Sequence, residues 1–128
     1  DGTISDSANN LVWQKCSRGQ TNDASCSGAA TNTSTWLAAL SYCQGLSLAG
    51  RSWRLPTATE LTSIVDFSAA NPAINVTIFP ATVSDIYWTA TTDYSTTQTR
   101  SVYFASGQAD VSLKGGSMAY VRCIATGP

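Results

Sequence analysis

Apolar and polar positions divide the chain into a strand-like start, a helical middle and a strand-like end. Short strand-forming runs at residues 3–5 and 11–13, joined by polar residues, predict an N-terminal hairpin. Residues 16–33 carry mostly small and polar side chains and predict a loop, because they bury too little apolar surface to fold unaided. Beyond residue 85, apolar residues recur at every second position. We expect strands there at residues 86–91, 100–105, 109–113 and 119–124.

Two helices are predicted in the middle of the chain. Ser34 or Thr35 caps the first, whose apolar residues recur at spacings of three and four through Leu46. Thr57 followed by Glu60 is the sequence pattern of a capping box, which begins the second helix. We expect that helix to end near residue 66, and the following residues to form an ordered connector that contains two prolines.

The order of hairpin, two helices and antiparallel meander predicts an α+β fold, an antiparallel sheet with two flanking helices. A length of 128 residues is typical of one domain, so we treat residues 1–128 as a single unit. No run approaches the roughly 18 consecutive apolar residues of a membrane helix. The first residues show no leader pattern, and we expect a mature product or a domain excised from a longer chain.

The four cysteines predict two disulfides and therefore an oxidising compartment. Their even number and the lack of a C-x-x-C spacing disfavour a zinc ribbon or a redox motif. Three pairings are possible. We favour Cys16 with Cys26, which would hold the polar loop together, and Cys43 with Cys123.

The composition removes much of the usual catalytic chemistry. There is no histidine, so Ser-His-Asp and Cys-His arrangements cannot form. The carboxylates are spread along the chain without a calcium-loop pattern, and we expect neither a metal nor a cofactor. Charged residues make up only 12% of the chain and the net charge is -1, which excludes a polycationic nucleic-acid binder. We therefore expect a protein that is not an enzyme.

Three charged residues are predicted to have structural roles. Arg54 precedes the second helix and Glu60 lies in its first turn, so the two side chains can pair and fix the helix to the sheet. Arg122 lies beside Cys123, at the end of the proposed long disulfide, and we assign it the same kind of role.

The loops between the C-terminal strands have the composition of binding loops, in which aromatic rings supply contact area and small polar residues supply hydrogen bonds. Tyr87 and Trp88 are neighbours on one strand and face opposite sides, so we expect one of them to be accessible. The alternative is that these loops are ordinary solvated turns. The candidate ligand-binding residues are Trp88, Asp93, Tyr94, Arg100, Tyr103 and Lys114.

The strings DGTISDSANNLVWQKC, TWLAALSYC, WRLPTATELTSIVD, YWTATT and YVRC occur in this order and closely resemble the Lcl C-terminal-domain family of bacterial surface proteins. The resemblance covers nearly the whole chain. It implies a C-type-lectin-like fold, shared with formylglycine-generating enzymes and with the variable proteins of diversity-generating retroelements. The family's name-giving member is a trimeric adhesin that binds sulfated glycosaminoglycans, so the resemblance implies an exported protein with a host-binding role. Such a ligand would require the few basic residues to cluster in the fold.

These observations together predict an extracellular recognition domain at the tip of a bacterial surface fibre or lipoprotein. We expect it to be a homotrimer that binds glycans or another cell's envelope, with no nucleic-acid partner and no membrane span. One alternative is a trimerising structural cap of a fibre. Another is a protein-binding display scaffold, with changeable contacts around Tyr94, Arg100, Tyr103 and Tyr120.

Overall fold

Three antiparallel sheets and two short helices form the structure, a computed structural model that describes residues 1–93 and 95–127. The α+β class is confirmed. The single sheet expected from the sequence is divided into three. The elements are β1 (Thr3–Asp6), β2 (Leu11–Gln14), β3 (Thr33–Thr35), α1 (Trp36–Gln44), α2 (Ala58–Thr62), β4 (Ile86–Thr92), β5 (Gln98–Tyr103), β6 (Gln108–Leu113), β7 (Gly115–Ala119) and β8 (Ile124–Thr126).

The first sheet joins the two ends of the chain. Its order is β1-β2-β8, and Trp13 on β2 lies opposite Ile4 on one side and Ile124 on the other. The N-terminal hairpin is therefore confirmed. Because β2 is paired on both edges and its Trp13 is fully buried, this sheet fixes the start of the chain in the core.

The second sheet pairs β3 with β7 and was not predicted. Thr33 lies opposite Ala119 and Thr35 opposite Gly115. The predicted strand at residues 119–124 is wrong in its bounds, since β7 ends at Ala119 and β8 begins only at Ile124. Each of these strands pairs with a strand that is distant in sequence. Apolar and polar residues alternate little along it.

The third sheet is the predicted antiparallel meander, with the order β4-β5-β6. Tyr87 lies opposite Val102, and Arg100 lies opposite Val111. An isolated parallel bridge between Tyr87 and Tyr120 links this sheet to the segment between β7 and β8.

Both helices begin where the sequence predicts, and both end early. The Thr35 hydroxyl caps α1 by accepting from the Ala38 N–H at 3.1 Å, and α1 ends at Gly45 instead of Leu46. The capping box of α2 is present, but the helix stops after Thr62, and residues 63–65 continue as tighter three-residue turns.

Both predicted disulfides are confirmed, Cys16 with Cys26 and Cys43 with Cys123. The second joins α1 to the segment before β8 inside one of two apolar clusters, which also contains Val12, Trp53 and Trp88. The other cluster lies on the opposite side of the β4 strand and contains Trp13, Phe79 and Tyr87. In the part of the chain that the structure describes, no helix is long and apolar enough to cross a membrane.

Candidate ligand-binding surface

A shallow, open groove of about 380 Å³ lies between α2 and strands β5 and β6 of the third sheet, and we call it the α2 groove. One wall is the exposed side of α2, and the other is formed by β5 and β6. Its volume falls within the range of about 300–1,000 Å³ that is typical of small-molecule sites. The α2 groove is lined by Ala58, Thr59, Thr62, Ser63, Arg100 and Ala109.

The α2 wall is held in place by an ion pair. Arg54 donates through Nη1 and Nη2 to the two carboxylate oxygens of Glu60, each at 2.7 Å. Hydrogen bonds from Arg54 lower the pKa of the Glu60 carboxyl, and the same bonds raise the pKa of Arg54. Glu60 also accepts from the Thr57 N–H at 2.9 Å, which completes the capping box. Arg54 and Glu60 therefore have the structural role that their positions predict.

The first turn of α2 is also bonded directly to the sheet. The Ala58 N–H donates to the hydroxyl of Thr91 on β4 at 2.8 Å, so one of the unpaired donors of the helix terminus is satisfied by a strand residue. This bond and the ion pair together set the width of the α2 groove.

Arg100 is the cation of the α2 groove, and its side chain is about half exposed (49%). Its Nη2 lies 3.8 Å from the Oδ1 atom of Asp93, whose side chain is 15% exposed. An exposed pair at this distance is worth about 0–1 kcal/mol. Asp93 therefore orients the guanidinium loosely, and no hydrogen bond joins the Arg100 guanidinium to another of the described residues.

Trp88 is not available to a ligand, which corrects its assignment as a binding residue. Its side chain is fully buried (0% exposed), and its Nε1 donates to the carbonyl oxygen of Thr33 at 3.0 Å. Tyr87, on the other face of β4, is also buried (1% exposed), so the expectation that one of the two rings is accessible is wrong. The physical reason is that β4 has an apolar cluster on each face.

Tyr103 and Lys114 lie apart from the α2 groove. Tyr103 is three positions from Arg100 on β5, so its side chain faces the opposite side of the sheet, where it is partly exposed. The Lys114 ammonium lies over the Trp36 ring, 4.3 Å from its centroid. Tyr94 lies outside the described residues. Of the six candidates, the structure brings together Asp93 and Arg100.

The other basic residues do not form one patch. Arg51 and Arg54 line a separate open cleft of about 470 Å³ beside β8. Arg18 lies over the Tyr42 ring, 4.9 Å from the centroid, and donates to the Thr33 hydroxyl. These contacts place Arg18, Arg51 and Arg54 outside the α2 groove.

Arg122 is a buried cation without a carboxylate neighbour in the described chain. Its Nη2 donates to the hydroxyls of Ser17 and Thr82 at 3.3 and 3.1 Å, and its guanidinium lies between the rings of Phe79 and Tyr87. Burial lowers the pKa of Arg122. Its environment is structural, as predicted from its position, but the sequence did not indicate these four neighbours.

The hydroxyl groups that line the α2 groove were missed in the sequence. Thr59, Thr62 and Ser63 occur at spacings of three and four and share one face of α2. That spacing is the signal that could have revealed them, as the polar counterpart of the buried Leu61. The Thr62 and Ser63 hydroxyls donate to the main-chain carbonyls of Ala58 and Glu60, at 2.7 and 2.5 Å, so their oxygens can accept from a ligand. With the Arg100 guanidinium as a donor, these groups make the groove suited to a ligand rich in hydroxyl groups.

Within residues 1–93 and 95–127, no three Asp, Glu or Cys side chains lie close enough together to hold a metal ion.

The comparisons with known proteins place the chain in one family. Comparison with curated proteins and comparison with solved structures gave no match. The family model of the Lcl C-terminal domain matches residues 2–125, nearly the full length. The chain therefore belongs to the Lcl C-terminal domain family.

Proposed function

We propose that this domain is a non-enzymatic extracellular recognition module of C-type-lectin-like fold, at the tip of a bacterial surface fibre or lipoprotein. Its ligand is a glycan, either of a host surface or of another cell's envelope. Membership in the Lcl C-terminal domain family and the two disulfides, which indicate an oxidising compartment, support a surface location.

The α2 groove is the observation that carries the proposal. Sugar rings offer hydroxyls, which need donors and acceptors, and C–H faces, which need apolar contact. Thr59, Thr62 and Arg100 supply the polar groups of the groove, and Ala58 and Ala109 supply small apolar surfaces. Single sites of this kind bind weakly, so a homotrimer would raise the overall affinity by presenting three of them together.

A glycan array that contains sulfated glycosaminoglycans and bacterial envelope sugars tests this proposal. The Arg100→Ala variant removes the cation of the groove, and Ala109→Tyr fills the groove from the exposed strand β6. Lys114→Ala is the matched control, because it removes a cation that lies over Trp36 and outside the groove. We expect saturable binding that both groove variants lose and the control retains. Binding that survives both groove variants would contradict the assignment of the site.

The alternative is a trimerising cap of a fibre, and one observation favours it. Large apolar side chains are exposed around the β6–β7 turn, where Leu113 lies on β6, Met118 on β7, and Leu37 follows Trp36 on α1. Leu37 is 70% exposed. Such a surface is typical of subunit contacts. No glycan binding, together with three times the monomer mass by light scattering, would favour the cap over the recognition module.

A further inference from the structure

A second and smaller cavity, of about 150 Å³, lies where β2, the disulfide-closed loop and the segment after α1 meet. It is lined in part by Asn22 of the loop, Tyr42 of α1, and Leu46 and Leu48. Sites for whole small molecules have about 300–1,000 Å³. This cavity, which we call the Tyr42 cavity, therefore has room for one substituent of a ligand rather than for a complete sugar ring.

Two amide side chains of the Tyr42 cavity each make two hydrogen bonds within the domain. Gln14 donates through Nε2 to the Tyr42 hydroxyl at 2.8 Å and accepts at Oε1 from the Cys123 N–H at 2.9 Å. Gln20 accepts at Oε1 from the Ser17 N–H and donates through Nε2 to the Ala81 carbonyl, both at 2.8 Å. These four bonds hold the walls of the cavity in place, and they leave one N–H of each amide group without an acceptor among the described residues.

Beside these N–H groups, the cavity has a hydroxyl donor and a carbonyl acceptor that lack a partner among the described residues. The Tyr42 oxygen accepts from Gln14, so its own O–H is free to donate. Asn22 donates weakly through Nδ2 to the Asp1 carbonyl at 3.4 Å, and its Oδ1 is free to accept. Leu46 and Leu48 line the same cavity and provide an apolar surface. The cavity therefore offers N–H and O–H donors, the Asn22 Oδ1 acceptor and an apolar wall.

A secondary amide that carries a methyl group has the complementary set: a carbonyl, an N–H and an apolar cap. We propose that the Tyr42 cavity binds the N-acetyl group of an amino sugar. The Tyr42 hydroxyl donates to the acetyl carbonyl, Asn22 Oδ1 accepts from the amide N–H, and the methyl group packs against Leu46 and Leu48.

The electrostatic surroundings keep Tyr42 in the form that this site requires. Burial raises the pKa of the Tyr42 hydroxyl, so the group stays protonated and able to donate at neutral pH. Arg18, over the ring face, is itself held by the Thr33 hydroxyl at 3.1 Å. The ring therefore packs between fixed neighbours and presents its hydroxyl in one direction.

The choice of a sugar as the carrier of the N-acetyl group rests on the proposed function, whereas the cavity is separate from the α2 groove. The test is a titration of the isotope-labelled domain, followed by amide NMR shifts, with N-acetylglucosamine, glucosamine, glucose and N-acetylglycine N-methylamide. We expect saturable shifts at Tyr42 and Leu48 with N-acetylglucosamine at millimolar concentration, a range common for a single weak site. Glucosamine and glucose should leave these residues unshifted.

The variants Tyr42→Phe and Asn22→Ala each remove one predicted hydrogen bond and should weaken binding about tenfold. Asn22 is exposed and its substitution leaves the Gln14–Tyr42 bond intact, so that variant serves if Tyr42→Phe does not fold. Arg100→Ala is the control, and it should not change the affinity. If glycan array binding needs Arg100 but N-acetylglucosamine shifts nothing near Tyr42, this proposal fails and the proposed function stands.

Three results would overturn the proposal. The first is an equal response to glucose and N-acetylglucosamine, which would show that the acetyl group is not recognised. The second is tighter binding of the peptide-like diamide, which carries the same acetyl amide, than of N-acetylglucosamine, and it would assign the cavity to a polypeptide. The third is unchanged affinity in a folded Tyr42→Phe or Asn22→Ala variant.

Discussion

Removal of the two disulfides one at a time should destabilise the domain by different amounts. The cysteines of one bond are separated by 80 residues and those of the other by 10. In the chain-entropy model, a cross-link stabilises the fold by restricting the unfolded chain, and the effect grows with the logarithm of loop length. At 25 °C the model gives about 4.5 kcal/mol for Cys43–Cys123 and about 2.7 kcal/mol for Cys16–Cys26. The expected difference is about 1.8 kcal/mol.

The two double variants, Cys43→Ala/Cys123→Ala and Cys16→Ala/Cys26→Ala, are each other's control. All four cysteines are at most 5% exposed, so the loss of sulfur packing is similar in both and largely cancels in the comparison. Urea unfolding followed by tryptophan fluorescence measures both free energies, because Trp13 and Trp88 are buried in the native state. An equal or larger loss for the short loop would refute the reasoning. It would show that native-state packing, and not loop length, decides the effect.

Three further substitutions test the fold around the α2 groove and the cores. Glu60→Gln removes a carboxylate whose pKa is lowered below its ordinary value of 4.5, so the stability that Glu60 adds is present above pH 4.5 and is lost as the pH falls through the lowered pKa. We expect the variant to lower the free energy of unfolding at neutral pH by under about 1 kcal/mol, because the Arg54–Glu60 pair is partly exposed. If the wild type stayed more stable than the variant down to pH 2, this reasoning would be contradicted. Tyr87→Phe removes a buried hydroxyl that accepts from the Val83 N–H at 3.1 Å and is hydrogen-bonded to the Ser17 hydroxyl at 2.6 Å. It should cost about 1–3 kcal/mol by urea unfolding, and a near-neutral result would count against both bonds. Gly107→Ala should lower the melting temperature, because Gly107 has φ +82° and an added Cβ would lie 2.4 Å from Val65 Cγ1; an unchanged melting temperature would mean that Val65 moves aside at little cost.

The local signals of the chain predicted the elements that depend on neighbouring residues. Thr57 and Glu60 predicted the start of α2, because a capping box closes within four residues. The end of α2 was not predictable in the same way. The apolar spacing continues to Val65, but the backbone after Thr62 adopts tighter turns as Ile64 and Val65 pack on the second apolar cluster.

The candidate site shows the same division between local and distant information. Arg100 was recognised from the composition of its loop, but its partners in the α2 groove come from a helix about 40 positions earlier in the chain. Tyr103 and Arg100 were grouped because they are close in sequence, and the alternation of β5 separates them onto two faces. Trp88 lies in an apolar pattern typical of core residues, and it was assigned to binding because it begins the sheet whose adjoining loops carry ligands in lectin-like domains. Apolar clusters on both faces of β4 bury it.

The sequence by itself determined the α+β class, the N-terminal hairpin, the helix starts and two disulfides in an oxidising environment. These follow from hydrophobic period, capping residues and cysteine number, which act over short distances or are properties of composition. Only the tertiary structure decided the pairing of β3 with β7, the burial of Trp88, and the assembly of the α2 groove and the Tyr42 cavity. Each of these depends on which surfaces meet after the chain has closed long loops, and that outcome is set by the packing of the whole core.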